Sequence, residues 1–176
     1  NLGASRAATS ITDELAYGDL YQWGRDTDGH EKRNSPTTTT ISTSNQPSHG
    51  SFIKGTFNSN YDWLTPQNDN LWQGVNGINN PCPTGYRLPT QEEWEAERLS
   101  WTSDDASGAF NSPLKLSLAG NRRGPDGFLA SVGFAGNYWS STTSGNDAIH
   151  LTNFNVVSGI LTQIRAEGQS VRCIKN

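Results

Sequence analysis

The sequence predicts a loop-rich α+β domain, and three observations lead to this prediction. Two segments combine helical spacing of apolar residues with N-cap signals, and short strand-like segments separated by turn residues follow them to the C-terminus. Six Trp, five Tyr and six Phe provide the large apolar areas that a folded core requires. A length of 176 residues fits one domain, so we expect a single domain over 1–176.

The first predicted helix lies within residues 10–25, which read SITDELAYGDLYQWGR. Ser10 or Thr12 can cap this helix, and acidic residues follow in its first turn. Four apolar residues have near-helical spacing and would form the buried face: Leu15, Leu20, Tyr21 and Trp23.

The helical periodicity ends at Asp26, and a polar loop rich in Thr and Ser covers about 34–60. Asp26, Asp28 and Glu31 place carboxylates near Gly29 in a pattern that resembles the start of a D-x-D-x-D-G calcium loop. Asp26 and Asp28 are therefore candidate calcium ligands. The later ligands of that loop are missing, and an ordinary polar loop is the alternative interpretation.

The second predicted helix begins after Thr90. Thr90 and Glu93 have the T-x-x-E spacing of a capping box, in which each side chain bonds the other residue's backbone N–H. Trp94, Arg98 and Trp101 follow at spacings that place them on one face of a helix. The sequence therefore predicts a helix that packs through its tryptophans.

Strand signals dominate the rest of the chain. The predicted strands are 114–120, 137–142, 148–154, 159–166 and 170–175, and the predicted turns between them are 124–127, 144–147, 158–159 and 167–169. Because most of these turns are short, we expect a twisted antiparallel sheet.

The two cysteines, Cys82 and Cys173, are far apart in the sequence and lack the close spacing of a redox pair or a metal site. One long-range disulfide is the simplest interpretation, and it suits an exported protein. Two buried free thiols are the alternative.

Composition restricts the partners. Hydrophobic residues make up only 32% of the chain and the mean hydropathy is −0.67, so we expect no membrane insertion. The net charge of −4 and the pI near 5.3 argue against nucleic acid as a partner, because nucleic acid attracts basic surfaces.

Several segments together resemble the Fibrobacter succinogenes major paralogous domain family: CPTGYRLPTQEEWE, PLKLSLAGNRRGPDGF, GNYWSST, SVRCIK and the N-terminal NLGASR and AYGDLYQWGR. The resemblance implies a C-type-lectin-like fold, related to the formylglycine-generating-enzyme branch, in secreted or surface proteins of Bacteroidetes and relatives. It also implies that a first strand precedes NLGA, so that 1–176 lacks this strand.

The sequence does not favour catalysis. Formylglycine-generating relatives use cysteine chemistry, and the disulfide interpretation uses both cysteines. The related iron-dependent sulfoxide synthases need several histidines, whereas His30, His49 and His150 are isolated from one another. No G-x-S-x-G elbow occurs. We therefore assign no catalytic residue and expect no required cofactor, with calcium as an optional ion.

Calcium-dependent sugar binding is also not favoured. Lectins of this fold bind calcium through E-P-N or Q-P-D and W-N-D, whereas residues 124–126 read GPD and 139–141 read WSS. The resemblance places ligand-supporting side chains between the W-S-S strand and the last strand, and turn preference is the alternative explanation for their asparagines. The candidate ligand-binding residues are Asn146, Asp147, His150, Asn153 and Asn155.

We therefore expect a non-catalytic extracellular or cell-surface module that binds a glycan or protein ligand, as the adhesive part of a larger chain. The alternative is a structural subunit or decoration of a surface filament, which packs against copies of itself. An enzyme of the formylglycine-generating type is the least favoured interpretation, because no third cysteine is present.

Overall fold

In the computed structural model, which describes residues 1–176, two α-helices pack against one face of a three-stranded antiparallel sheet, and three smaller sheets surround it. The strands and helices are β1 (Tyr21–Gln22), β2 (Thr37–Thr38), β3 (Phe52–Ile53), β4 (Tyr86–Arg87), α1 (Gln91–Leu99), α2 (Ala106–Asn111), β5 (Asn121–Arg122), β6 (Leu129–Ala130), β7 (Ala135–Ser144), β8 (Asp147–Phe154), β9 (Ser158–Ile164), β10 (Gly168–Gln169) and β11 (Ile174–Lys175). None of the helices has the length and apolar character needed to span a membrane.

The main sheet has the order β7-β8-β9, and both of its connections are hairpins. A smaller antiparallel sheet, β1-β10-β5-β6, lies beside it and is joined to it by isolated bridges such as Tyr138 with Ser170. β4 pairs with β11, and β2 pairs with β3 in parallel. The predicted α+β class, with two helices and antiparallel strands, is confirmed.

Helix α1 confirms the capping-box prediction. The Thr90 side chain accepts a hydrogen bond from the Glu93 backbone N–H, and the Glu93 carboxylate accepts one from the Thr90 N–H at 2.8 Å. The same carboxylate pairs with Arg87 at 2.7 Å, and this pairing keeps the pKa of Glu93 below its ordinary value. Trp94 is buried against the main sheet, as the helical spacing predicts.

The main sheet presents two faces. On the face toward the helices, Tyr138, Leu151 and Ile160 are cross-strand neighbours and pack with Trp94. We call this the helix-side face. On the opposite face, which we call the pocket-side face, Trp139 packs into the largest hydrophobic cluster of the molecule, which we call the aromatic cluster because four of its seven members are aromatic. The other members of that cluster are Tyr21, Trp23, Trp72, Leu88, Ala148 and Val171.

The predicted disulfide is present and joins Cys82 to Cys173 beside this aromatic cluster. The buried indole N–H groups nearby all donate to backbone carbonyls. Trp139 donates to Tyr21 at 2.8 Å, and Trp23 donates to Ser140 at 2.9 Å. A buried indole N–H without a partner would cost about 1–3 kcal/mol, so these bonds allow tryptophans to fill the core.

The helix predicted within 10–25 is wrong. The structure has a single 3-10 turn at Glu14–Ala16, capped by Asp13, followed by strand β1. Gly18 has φ +67°, and a side chain there would meet the Leu2 carbonyl oxygen at 2.2 Å. The chain therefore turns sharply at this glycine, and apolar spacing alone could not indicate that turn.

Other predictions also differ from the structure. The predicted turn 158–159 is the start of β9, and only Ile174–Lys175 of the predicted strand 170–175 is a strand. The segment 114–120 is not a strand: Lys115 has φ 52°, and Leu118 bonds the backbone of Ile11 rather than a strand partner. The predicted turn 167–169 contains strand β10, whose glycine lets it approach Arg122 of β5. The second helix of the fold is α2, which follows α1 and was not predicted.

The polar loop predicted over about 34–60 is held by charged and amide groups. The Arg122 guanidinium lies 4.3 Å from the Phe52 ring centre and donates to the Ser35 carbonyl at 2.7 Å. The Gln22 side chain donates to the Ile53 carbonyl at 2.7 Å and accepts from the Ile53 N–H at 3.0 Å. The loop is therefore anchored by buried hydrogen bonds, with Phe52 and Ile53 as its main apolar contacts.

Candidate functional site

A polar pocket of about 260 Å³ opens on the pocket-side face of the main sheet, between that sheet and strands β5 and β10. We call it the sheet pocket. Its lining combines amides, hydroxyls and one imidazole with a few apolar groups: Asn121, Ser131, Ala135, Asn137, His150, Thr152, Phe154, Leu161, Thr162, Gln163 and Gln169.

Strand periodicity explains why polar side chains gather there. Asn137 lies directly opposite Thr152, and Trp139 lies directly opposite His150, so these four residues share one face. Trp139 enters the aromatic core, whereas the next pair along the same face lies at the pocket. The Thr152 hydroxyl donates to the Asn137 side-chain oxygen at 2.9 Å, which fixes the Asn137 amide at the wall.

Two buried polar atoms in this pocket have no hydrogen-bond partner of standard geometry in the protein. They are Nδ1 of His150 and Oε1 of Gln169, whose residues are 4% and 1% exposed and whose side chains lie close enough to interact with each other. The His150 ring stands edge-on to Trp139, with ring centres 5.9 Å apart. Burial lowers the pKa of His150 to about 4, so the imidazole is neutral near pH 7 and offers one donor and one acceptor.

None of the eleven lining side chains carries a charge at neutral pH. The nearest carboxylate to Asn121 is that of Glu167, which accepts a hydrogen bond from the Asn121 amide and another from the Gly124 N–H at 2.7 Å. Glu167 is buried, and burial raises its pKa. At the rim, Phe154 and Leu161 expose apolar surface. The pocket therefore combines neutral hydrogen-bonding walls with an apolar edge.

The structure separates the five predicted ligand-binding residues. Asn146 and Asp147 lie at the β7–β8 turn, and Asn155 lies beyond the far end of β8. Eight residues of strand separate Asp147 from Asn155, which corresponds to about 26 Å. Asn153 is fully buried on the helix-side face, with both amide atoms unpartnered, and lines none of the pockets. Only His150 lines the sheet pocket.

The candidate calcium ligands lie in a different region. The Asp26 carboxylate accepts a hydrogen bond from the neighbouring Thr27 N–H. Asp28 is ion-paired with Arg25 at 2.6 Å and accepts from the His30 ring at 2.7 Å. The two carboxylates therefore make different contacts, and Asp28 is engaged by protein groups.

Asp28, His30 and Glu31 form the one cluster whose ligand atoms lie within 4.8 Å of one another. The protein already satisfies these atoms. His30 Nε2 accepts from the Gln22 N–H at 3.1 Å, and Glu31 accepts from the Gly29 N–H at 2.8 Å. Burial lowers the pKa of His30 to about 4, so its ring is neutral and bridges two fixed partners. The cluster has the chemistry of a structural network that orders the start of the polar loop.

Of the four other depressions, the two largest that lie against the main elements differ in character from the sheet pocket. A groove of about 420 Å³ lies between α1 and β11, and its floor includes Trp94, Leu114 and Ile174. A shallow polar groove of about 380 Å³ lies between the β7 bulge and the 69–73 segment. None of the four other depressions is lined by a residue with a buried unpartnered side-chain atom. The sheet pocket is therefore the strongest candidate for a binding site.

Sequence reasoning found His150 but missed Asn137, Thr152 and Gln169. The alternation of polar and apolar residues in NYWSST and AIHLTNF could have placed Asn137 and Thr152 on one face, had the two strands been aligned. Gln169 carried no such signal, because the segment 167–169 reads as a turn.

Compared with protein-family models, with curated proteins and with solved structures, the chain matches none of them. The class of protein is therefore defined by the structure itself: a disulfide-bonded α+β domain with a neutral polar pocket on its main sheet.

Proposed function

We propose that this protein is a non-catalytic extracellular recognition module with a C-type-lectin-like fold, which binds a glycan or protein ligand through the sheet pocket. The observation that carries the proposal is the pair of buried unpartnered atoms, His150 Nδ1 and Gln169 Oε1, in one pocket. A buried polar atom without a partner costs about 1–3 kcal/mol, so this wall favours an occupant that supplies hydrogen bonds.

The arrangement of the chain supports the fold assignment. A capped helix precedes the hairpin strands, the disulfide joins the approach to that helix with the last strand region, and a long polar loop lies between β1 and α1. A disulfide persists in oxidising compartments, which supports an extracellular or cell-surface location.

The side-chain chemistry supports a non-catalytic role. Both cysteines are in the disulfide, so no free thiol is available for chemistry of the formylglycine-generating type. His150 has no carboxylate partner that would orient it as a general base, and His30 already bonds Asp28 and Gln22. No nucleophile is paired with a base in the sheet pocket.

The test is to screen the full chain against arrays of glycans and of secreted or cell-surface proteins, with and without a calcium chelator. We expect a saturable ligand whose binding is weakened by Leu161→Asn, a change at an exposed rim position. Gln46→Ala, in the polar loop, is the control and should bind normally. Absence of any ligand on both arrays, or binding indifferent to Leu161→Asn, would contradict the proposal.

A structural subunit of a surface filament is the second candidate, and exposed apolar side chains favour it. Phe134 and Val156 are 72% and 87% exposed, and the pairing of Ala135 with Phe154 brings their segments to one end of the main sheet. In sedimentation experiments, concentration-dependent polymers abolished by Val156→Ser would favour this function. A monomer at all concentrations would reject it.

A further inference from the structure

We propose that the sheet pocket binds one terminal sugar ring of an uncharged glycan, by hydrogen bonds and apolar contact and without a metal ion. This inference rests on the proposed recognition function and names the ligand class for the same pocket.

The polar groups that line the sheet pocket are suited to bind the hydroxyl groups of a sugar. Each sugar hydroxyl is both a donor and an acceptor, and the pocket offers both kinds of partner. Gln169 Oε1 and the Nδ1 of neutral His150 lie near each other, and neither has a hydrogen bond of standard geometry within the protein. Asn137 is held by Thr152, so its amide is oriented before a ligand arrives. Fixed groups of this kind lower the entropy cost of binding.

The absence of charge in the lining selects against ionised ligands. A sugar carboxylate, sulfate or phosphate buried here would lose water without gaining a cation, because no Lys or Arg lines the pocket. Behind Asn121, the buried Glu167 carboxyl group adds no positive charge that would stabilise an anion. A cationic ligand would likewise find no carboxylate on the lining surface.

The rim favours a sugar ring over a peptide. Phe154 and Leu161 expose apolar surface beside the polar wall, and a pyranose has polar edges with an apolar C–H face that can pack on such surface. A volume of about 260 Å³ lies below the usual range for drug-sized ligands, about 300–1,000 Å³. The pocket therefore suits one ring, with the rest of the glycan outside.

A calcium ion is not needed for this mode. Calcium takes six to eight oxygen ligands and prefers carboxylates, and the sheet pocket has none. The acidic cluster of Asp28, His30 and Glu31 is not part of the pocket lining, and its ligand atoms are hydrogen-bonded within the protein.

The test uses the full chain with a panel of methyl glycosides: neutral hexosides, a methyl N-acetylglucosaminide and a methyl glucuronide. Saturation-transfer NMR is recorded in the presence of a calcium chelator. We expect signals from at least one neutral glycoside and none from the glucuronide. Preference for the glucuronide, or binding that disappears with the chelator, would overturn the inference.

The matched variants are Gln169→Met and Gln46→Ala. Methionine is close to glutamine in shape, so Gln169→Met removes the unpartnered oxygen while filling the same space. We expect about tenfold weaker binding with unchanged or higher thermal stability. Gln46→Ala should bind as the wild type does. Wild-type affinity in Gln169→Met would overturn the inference.

Leu161→Asn serves as a second variant, since it changes an exposed rim position and should fold even if Gln169→Met does not. It should also weaken binding of the neutral glycoside. Failure of all neutral glycosides together with a ligand on the protein array would overturn this inference and leave the recognition function standing. Failure of the glycosides and of both arrays would reject both proposals.

Discussion

The two faces of the main sheet fill their space in different ways. On the helix-side face, Trp94 donates its indole N–H to the Trp139 carbonyl at 3.0 Å, and the Tyr138 hydroxyl donates to the Ser117 carbonyl at 2.6 Å. On the pocket-side face, the atoms of His150 and Gln169 have no partner of standard geometry and line an open pocket, whereas the equally unpartnered amide of Asn153 on the helix-side face lines none.

The comparison distinguishes side chains that stabilise the main sheet from side chains that are available to bind a ligand. Aromatic side chains whose polar atoms are bonded contribute packing without an electrostatic penalty. Buried polar atoms without partners lower stability, and their retention in an open pocket is typical of a binding site. Changes on the helix-side face should therefore affect stability, whereas changes in the sheet pocket should affect binding.

Removal of the disulfide should have the largest effect, because the bond packs against the aromatic cluster and closes the longest covalent loop of the fold. Closing a loop of 91 residues contributes about 4–5 kcal/mol in the chain-entropy model. Replacing Cys82 and Cys173 by serine should therefore lower the free energy of unfolding by about that amount, measured by urea denaturation. A loss below about 1 kcal/mol would show that the aromatic cluster holds the fold without the bond.

Trp94→Ala should disrupt the packing of the helix-side face and leave the pocket-side face unchanged. Removing a buried tryptophan leaves a cavity and an unpaired Trp139 carbonyl, and we expect a loss of about 3–5 kcal/mol. The folded fraction should bind ligand with wild-type affinity, which a titration below the unfolding midpoint can measure. An equal loss of affinity and stability would contradict the separation of the two faces.

Acidification should destabilise the protein through its buried histidines. Burial lowers the pKa of His30 and of His150 to about 4, so the unfolded chain takes up these protons first as the pH falls below about 6.5. The free energy of unfolding should fall between about pH 6.5 and about pH 4, by up to about 3 kcal/mol per histidine.

Asp62 has the opposite effect on the free energy of unfolding as the pH falls. Burial raises its pKa to about 6, so below that pH the folded state takes up the proton first and gains stability.

Replacing His150 by Asn removes one of the two buried histidines. In this variant the urea midpoint should fall less steeply as the pH decreases, and the slope of the free energy of unfolding against pH should be smaller by the equivalent of at most one proton. An unchanged slope in that variant would mean that His150 is not buried in its neutral form.

The sequence could predict elements whose signals are local. The Thr90–Glu93 capping box identified α1, and polar–apolar alternation identified β7, β8 and β9. Helix α2 was missed because it has only six residues and its N-cap, Asp105, is not followed by an apolar repeat. The segment 114–120 has strand-like alternation, but Lys115 and the Ile11 carbonyl direct it along an irregular path.

The candidate site was harder to predict because it depends on tertiary contacts. His150 was singled out, yet its partners in the pocket come from β7, β9 and β10. Gln169 reaches the wall only because β10 pairs with β1 and β5, and a pairing of two residues has no periodic signal. Asp28 has the sequence of a calcium ligand, but its oxygens bond Arg25 and His30.

The most direct test of the account is the imidazole NMR spectrum of the three histidines during titration with the neutral methyl glycoside that binds best. We predict that the ring nitrogen signals of His150 shift with saturation, while those of His30, which donates to Asp28, stay in place. His150 signals that remain unchanged at saturating glycoside would contradict the claim that the sheet pocket is the ligand site.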